Sequence, residues 1–287
     1  MKLSVIIPCF NAEDTIAVQL EALASQRWAE PWEVIVSDNG STDSTLSILK
    51  RYAKRLPNLC IVDSSDRPGA AHARNVGALA AAGEVFAFCD ADDEVAPGWL
   101  AAIGDALSEY DFVASRFETK KLNKPQIPKT RVGEQQVGLQ EYTYPPYLPH
   151  SGGSGLGVKR ALHEQIDGFD ETMLRLHDTD YCWRIQLAGT ALHFVSNAVI
   201  HIRFPDTISA KFRQTLVWGE YNVLLYKKYR AFGMPKLSWK SSVKKWMSLL
   251  WNLPQIRSKS GRAAWLRQLA GSVGRVKGSI KHRVFAL

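Results

Sequence analysis

The chain has 287 residues, enough for one large domain with an appendage or for two small ones, and its 46% hydrophobic content suits a globular protein with a core to bury. Met1-Lys2 leads into Leu3–Ile7, which Pro8 ends, and no apolar run nears the roughly 18–20 residues of a membrane span. A secretory leader and a spanning helix are therefore not expected, and the chain reads as cytoplasmic, soluble or peripheral on a membrane. The net charge of +8 is unevenly divided: residues 1–202 carry 18 Lys/Arg against 26 Asp/Glu, a balance of −8, and residues 203–287 carry 18 against 2, a balance of +16. Such a split separates a catalytic body from a basic tail with other work.

Leu3–Cys9 is apolar and rich in β-branched residues, the pattern of a buried strand. Asp14–Gln26 places Ile16, Leu20 and Leu23 at helical spacing. A strand over Glu33–Ser37, a helix over Asp43–Leu56, a strand over Leu59–Val62, an Ala-rich helix over Ala70–Ala82 and a strand over Gly83–Cys89 follow. This β-α-β-α-β-α-β order predicts an α/β fold with a mostly parallel sheet covered by helices on both faces. Beyond it, Pro97–Ser108 reads as a helix and Phe112–Phe117 as a strand. A polar loop with Lys120, Lys121, Lys124, Pro125, Pro128 and Lys129 is either a mobile flap or a solvated excursion. Val158–Gln165 and Asp178–Leu187 read as helices and His193–His201 as a strand. From Ser209 the pattern is helical to the end, with breaks near Pro235 and Pro254.

Ligands of an open parallel sheet bind beyond the carboxyl ends of its strands. Three polar strand ends should share that edge: Cys9-Phe10-Asn11, Asp38–Asp43 and Asp90-Ala91-Asp92-Asp93. Asp90 and Asp92 on one loop repel each other unless a cation sits nearby, and Mg²⁺ or Mn²⁺ binds through such carboxylates plus phosphate oxygens. The competing reading is that these aspartates cap the next helix. Asp38, one residue before a turn, can accept from a base or a ribose, and Phe10 can stack on a base. Ser41-Thr42-Asp43 suits a helix N-cap. Gly152-Gly153-Ser154-Gly155-Leu156-Gly157 resembles a dinucleotide loop, but no buried strand is expected before it, so it reads as a flexible loop that approaches a ligand closely. Cys9, Cys60, Cys89 and Cys182 lack metal-ligand spacing and are expected to be reduced.

Taken together, Ser4–Asn11, Ser37–Asp43, Ala73-Arg74-Asn75-x-Gly77, Asp90–Asp93, Gly168-Phe169-Asp170-Glu171 and Asp178-x-Asp180-x-x-x-Arg184-x-x-x-x-Gly189 resemble the family 2 glycosyltransferases of GT-A fold, over roughly residues 3–230. That resemblance implies an inverting transfer from a nucleotide-sugar donor to a saccharide or lipid-linked acceptor, in surface glycan biosynthesis. It places Pro8, Phe10, Asp38, Arg74 and Asp90 on the nucleotide-sugar, Asp92 and Asp90 on a Mn²⁺ or Mg²⁺ ion, and Asp178 as the general base. A base on the acceptor face and a cation on the departing diphosphate are also what direct displacement at an anomeric carbon requires. The family's Glu-Asp pair is His177-Asp178 here, so His177 either alters the acceptor contacts or the acidity of Asp178, or is a surface histidine. His201, ending a strand, is either a further metal ligand or structural.

The resulting division is a GT-A domain over 1–230, with a nucleotide-binding half to 93 and an acceptor half from 94, then a basic amphipathic helical extension over 231–287. Trp239, Trp246, Leu249, Leu250, Trp251, Leu253, Trp265, Leu266 and Leu269 among many Lys and Arg suit an anionic membrane interface, or else a helix packed on the catalytic domain. No nucleic-acid motif accompanies the charge, so nucleic acid is not expected as a partner. Two other functions compete. A nucleotidyltransferase would carry a Gly-rich basic loop after the first strand, where Asn11-Ala12-Glu13-Asp14 stands. A non-catalytic sugar-nucleotide or membrane-binding module would not need Asp92 and Asp178.

Overall fold

A computed structural model describes residues 2–123, 135–205 and 207–286. Of the polar loop, Lys124, Pro125, Pro128 and Lys129 lie outside the described residues.

The described residues form an eight-stranded sheet with the order β3-β2-β1-β4-β7-β6-β8-β5. The strands are β1 (Leu3–Cys9), β2 (Trp32–Asp38), β3 (Leu59–Asp63), β4 (Val85–Phe88), β5 (Glu94–Val95), β6 (Phe112–Glu118), β7 (Leu156–Lys159) and β8 (His193–His201). In the half running from β3 to β4 every pairing is parallel. Three of its strands are followed directly by helices: α1 (Ile16–Ala24), α2 (Thr45–Ala53) and α3 (Ala70–Ala80) after β1, β2 and β3. Leu3, Val5, Ile6 and Ile7 of β1 are fully buried, as a central parallel strand requires. Pro8, which has no N–H to give, falls where pairing with β4 has already stopped at Ile6–Phe88 and only β2 continues alongside.

The other half is mixed, with β6 and β8 paired in parallel. β7 runs antiparallel to both neighbours, wedged between β4 and β6, and β5 is antiparallel to β8. The helix expected over Val158–Gln165 therefore starts only at Arg160 (α5, Arg160–Gln165), because Leu156 and Val158 are drawn into the sheet. Gly157 is what lets β7 in: a Cβ there would lie 2.7 Å from Val113 Cγ2. Two further helices belong to this half, α4 (Trp99–Glu109) and α6 (His177–Leu187). Cys9, Cys89 and Cys182 are buried and free, and Cys60 is exposed and free. Burial pushes the Cys9 thiol up to about 12, so it behaves as a small apolar side chain.

The chain divides into two compact units. One gathers the described residues of Met1–Pro125, Lys129–Gln140 and Pro149–Arg203; the other gathers those of Glu141–Leu148 and Phe204–Leu287. This division by compactness falls after Arg203, and α7 (Ile208–Tyr229) groups with α8 (Trp239–Trp251) and α9 (Lys259–Lys281). Side chains explain the grouping. Buried Glu220 of α7 is held by Lys277 and Lys281 of α9, at 2.9 and 2.5 Å. Where α7 and α9 cross, Gly219 faces Gly274, and a Cβ on Gly219 would lie 2.6 Å from the Gly271 carbonyl oxygen. Among the described residues, no helix is long and apolar enough to cross a membrane.

Candidate active site

The carboxyl ends of β1, β2 and β4 supply the first components, all within the sheet-containing unit. Asp38 closes β2 with 5% exposure. Its Oδ2 accepts from the Ser41 amide at 3.2 Å across a turn made by Gly40 at φ 82°, while Oδ1 is buried without a partner. A buried carboxylate oxygen left unpaired is costly unless a ligand donor meets it. Phe10 stands just past β1 with 59% of its surface exposed, available for a planar ligand to stack on. The two loops are stitched together: Thr42 N donates to Asn11 Oδ1 at 2.8 Å, and Asn11 N donates to Ser41 Oγ at 2.9 Å. Asp43 Oδ1 accepts from Thr45 N at the start of α2.

Past β4, Asp90, Asp92 and Asp93 can bring one carboxylate oxygen each within 4.8 Å of one another. Asp93 is buried, Asp90 half-buried and Asp92 open to solvent. Although Asp92 is accessible, the surrounding protein desolvates it, and with the Asp90 charge this pushes its carboxyl up to about 6. Burial and the same neighbours raise Asp93 well above the carboxylate range. The loop is shaped by Arg203, whose amide donates to Asp93 Oδ1 and whose Nε donates to the Asp92 carbonyl, both at 2.9 Å. Three oxygen donors whose mutual repulsion a divalent ion would remove fit Mg²⁺ or Mn²⁺.

Arg74, on α3, is almost wholly buried and ion-paired with Asp90 Oδ1. Its Nη1 lies 2.6 Å from His177 Nε2, and its guanidinium sits 5.5 Å over the Phe169 ring. Guanidinium can only donate, so His177 Nε2 is the acceptor and the imidazole proton is on Nδ1. Burial and then the Arg74 charge lower His177 to about 4, which keeps it neutral. Its Nδ1 and Arg74 Nε are buried without partners. His177 is thus a support for Arg74 and not a surface residue. Asn75 keeps this part of α3 in place by bonding Phe169 through both its amide oxygen and nitrogen, and Glu171 Oε1 at 3.0 Å.

Asp178, at the start of α6, accepts from Gly153 N through Oδ2 at 3.1 Å and from Thr179 N through Oδ1 at 2.8 Å. The glycine-rich run joins the two acidic elements: Gly153 holds Asp178, and Ser154 Oγ accepts from Asp90 N at 3.1 Å. A Cβ on Gly153 would lie 2.8 Å from Arg74 Nη2, so a larger residue would have to push the guanidinium aside.

The fold therefore brings Asp90, Asp92, Arg74 and Asp178 into one bonded network, while Phe10 and Asp38 end the neighbouring strands and Pro8 lies within β1. His201 is not part of the acidic group; its Nδ1 lies 2.8 Å from Glu118 Oε2, and its strand position faces Glu94 of β5. Arg203 escapes the sequence reading altogether, while Asp93, Gly153 and Ser154 are named there only as parts of their runs, without these roles. The glycine run had been singled out, but its partner Asp178 is 25 positions away.

The glycosyl transferase family 2 model matches residues 4–166. YibD of Escherichia coli K12, an uncharacterized glycosyltransferase, is 44% identical over 96 residues, 33% of this chain and 27% of its own length. The poly(ribitol-phosphate) beta-glucosyltransferase of Bacillus spizizenii is 33% identical over 138 residues, 47% of this chain and 22% of its own. The matched regions span less than a third of either relative. Among solved structures, the mannosyltransferase PcManGT from Pyrobaculum calidifontis, in complex with GDP-Man and Mn²⁺, superposes with a TM-score of 0.67 at 19% identity, covering 96% of this chain and 86% of that one. Staphylococcus aureus TarS superposes with a TM-score of 0.59 at 18% identity, covering 96% and 55%. At those identities the superpositions speak for the GT-A fold, and the family match adds the lineage: the chain belongs to glycosyl transferase family 2.

Proposed function

We propose that the protein is an inverting, metal-dependent glycosyltransferase that moves a sugar from a nucleotide-diphosphate donor to a hydroxyl of a saccharide or lipid-linked acceptor, in surface glycan synthesis. The observation that carries this reading is the gathering of Asp90, Asp92 and Asp93 at the end of β4, where repulsion and burial raise two of the three. Similar proteins point the same way: PcManGT binds GDP-Man with Mn²⁺, TarS binds UDP-GlcNAc, and the Bacillus spizizenii relative acts on poly(ribitol-phosphate).

Asp92 and Asp93, with Asp90, would hold Mn²⁺ or Mg²⁺, which when bound offsets the negative charge developing on the departing diphosphate. Asp38 offers its unpaired Oδ1 to a nucleobase or ribose donor, and Phe10 offers its ring face. Arg74 puts a fixed positive charge beside Asp90, and His177 holds it without cancelling that charge, because the imidazole is neutral. Asp178, steadied by the Gly153 amide, takes the proton of the acceptor hydroxyl. As that proton leaves, the acceptor oxygen bonds to the anomeric carbon and the bond from that carbon to the diphosphate oxygen breaks. A single base and a direct displacement invert the anomeric centre. The +16 balance of residues 203–287 supports a peripheral position on an anionic membrane, where a lipid-linked acceptor would lie.

A nucleotide-sugar panel with and without Mn²⁺ tests the proposal, read as thermal stabilisation and as sugar release or transfer. One donor should stabilise the protein selectively with metal present, and Asp92→Asn should abolish turnover and weaken donor binding. Full activity in excess chelator would overturn the metal-dependent reading. Donor binding without any turnover would leave a sugar-nucleotide-binding module instead.

A further inference from the structure

The basic unit leaves a coherent apolar face in water. On α8, Trp239, Val243, Trp246, Met247 and Leu250 are all exposed, Trp239 at 64% and Leu250 at 67%. Their offsets of 4, 7, 8 and 11 from Trp239 place them on one stripe of a helix with about 3.6 residues per turn. Trp251, at 85%, extends the stripe to the end of the helix. A groove of about 310 Å³ runs beside it, walled by Trp239, Ser242, Val243, Trp246, Met247 and Phe285.

Other contacts orient this face outward. Buried Ser242 and Leu249 lie on the flank of α8 next to the stripe, where the helix turns toward the rest of the unit. The Trp265 indole of α9 donates to the Leu249 carbonyl at 2.8 Å, and Gln268 of α9 donates to Ser248 Oγ at 2.5 Å. The stripe is therefore not an unpacked core surface, since α8 already spends its other side on α9. Monomeric proteins rarely leave contiguous aromatic and aliphatic side chains in water without a partner.

The charge around the stripe identifies the partner. Residues 221–287 hold 15 Lys/Arg and no Asp or Glu. Lys240 and Lys244 are exposed on α8 itself, with Lys236 and Arg257 on either side of it. A second copy of this chain would bring an equally basic surface to the contact and be repelled. An anionic bilayer instead offers negative headgroups for the lysines, an apolar layer for Val243, Met247 and Leu250, and an interfacial zone in which indoles settle. We propose that the exposed face of α8 is the membrane-docking surface of the protein, lying in the headgroup layer of an anionic bilayer with Trp239, Trp246 and Leu250 inserted. This rests on the tail being a membrane contact and is independent of the transfer chemistry.

The full chain is sedimented with vesicles of phosphatidylcholine alone and of phosphatidylcholine with phosphatidylglycerol in equal parts, and tryptophan fluorescence is read with brominated acyl chains in the vesicles. The parent should bind the anionic vesicles, be partly released by salt, and be quenched by the bromines. The triple variant Trp239→Ser, Trp246→Ser, Leu250→Ser should bind on the order of tenfold more weakly or worse and lose the quenching. Its unchanged circular dichroism would separate this loss from misfolding, as all three side chains are exposed. Lys240→Gln with Lys244→Gln should weaken binding chiefly at low salt. A triple variant that binds as the parent does would overturn the α8 face while leaving an electrostatic tail in place. A parent that ignores anionic vesicles would overturn both, and its nucleotide-sugar binding would still report on the catalytic reading. A parent that is a dimer, with a monomeric triple variant, would assign the face to self-association and overturn the proposal.

Discussion

The sheet-containing unit and the basic helical unit each hold groups where folding alone would not put them, and they err in opposite directions. The first crowds three carboxylates at the end of β4 and buries Asp93 among them. The second leaves Trp239, Trp246 and Trp251 in water. Burying a charge and exposing an indole are both unfavourable for an isolated chain. On the functions proposed above, each conflict would be relieved by something the chain does not contain, a divalent cation in one case and an apolar, anionic surface in the other. The contrast teaches that the locally inconsistent places in an otherwise consistent fold are where ligands belong.

Breaking the acidic side at its base should have the largest effect. Asp178→Asn keeps the shape and removes the proposed proton acceptor, so transfer should fall by ~10²–10⁴-fold with donor binding nearly unchanged. A steady-state assay paired with donor titration checks this, and a collapse in donor affinity would move Asp178 into the donor site.

Next come the tryptophans, which should separate the two regions by stability. Trp99 on α4 is fully buried, with its indole donating to Ser115 Oγ at 2.9 Å, so Trp99→Ala should cost about 3–5 kcal/mol in urea unfolding. Trp251→Ala, at an exposed position, should stay within ~0.5 kcal/mol. A large loss from Trp251→Ala would mean that the apolar stripe is already covered in the free protein.

The acidic cluster should also show itself through pH. Asp92 lies at about 6 against an ordinary 3.8. A carboxyl raised by folding favours the native state while protonated, so its contribution is whole below the unfolded value and lost as pH rises through about 6. Metal requires the carboxylate, so the rise in Tm on adding Mn²⁺ should be small near pH ~5 and larger near pH ~7. The Asp92→Asn variant should lose most of that rise at both.

The smallest expected effect belongs to single lysines of α8. Lys244→Gln should weaken binding to anionic vesicles by ~1 kcal/mol at low salt and by less at high salt. An effect that does not depend on salt would mean that Lys244 acts by packing.

The sequence by itself determined the first half of the fold and the kinds of groups at its edge. Leu3–Cys9 is observed with the bounds its apolar run suggests, as is His193–His201, because alternation and branching are local properties. Asp38, Asp90 and Asp92 were legible for a related reason: polar residues directly after buried runs must lie at strand ends. The charge split, too, is a property of composition.

Tertiary structure decided the rest. Leu156–Lys159 became a strand because β4 and β6 were there to receive it, and four residues carry no period that separates a strand from the start of a helix. His177 became a neutral support because α3 brought Arg74 to its Nε2 from 103 positions away. Arg203 closed the Asp92–Asp93 loop from 110 positions away, and α7 joined the basic unit through Glu220 and the lysines of α9. A hydrogen bond or ion pair depends on where two groups meet in space, and local sequence encodes each partner but not the meeting.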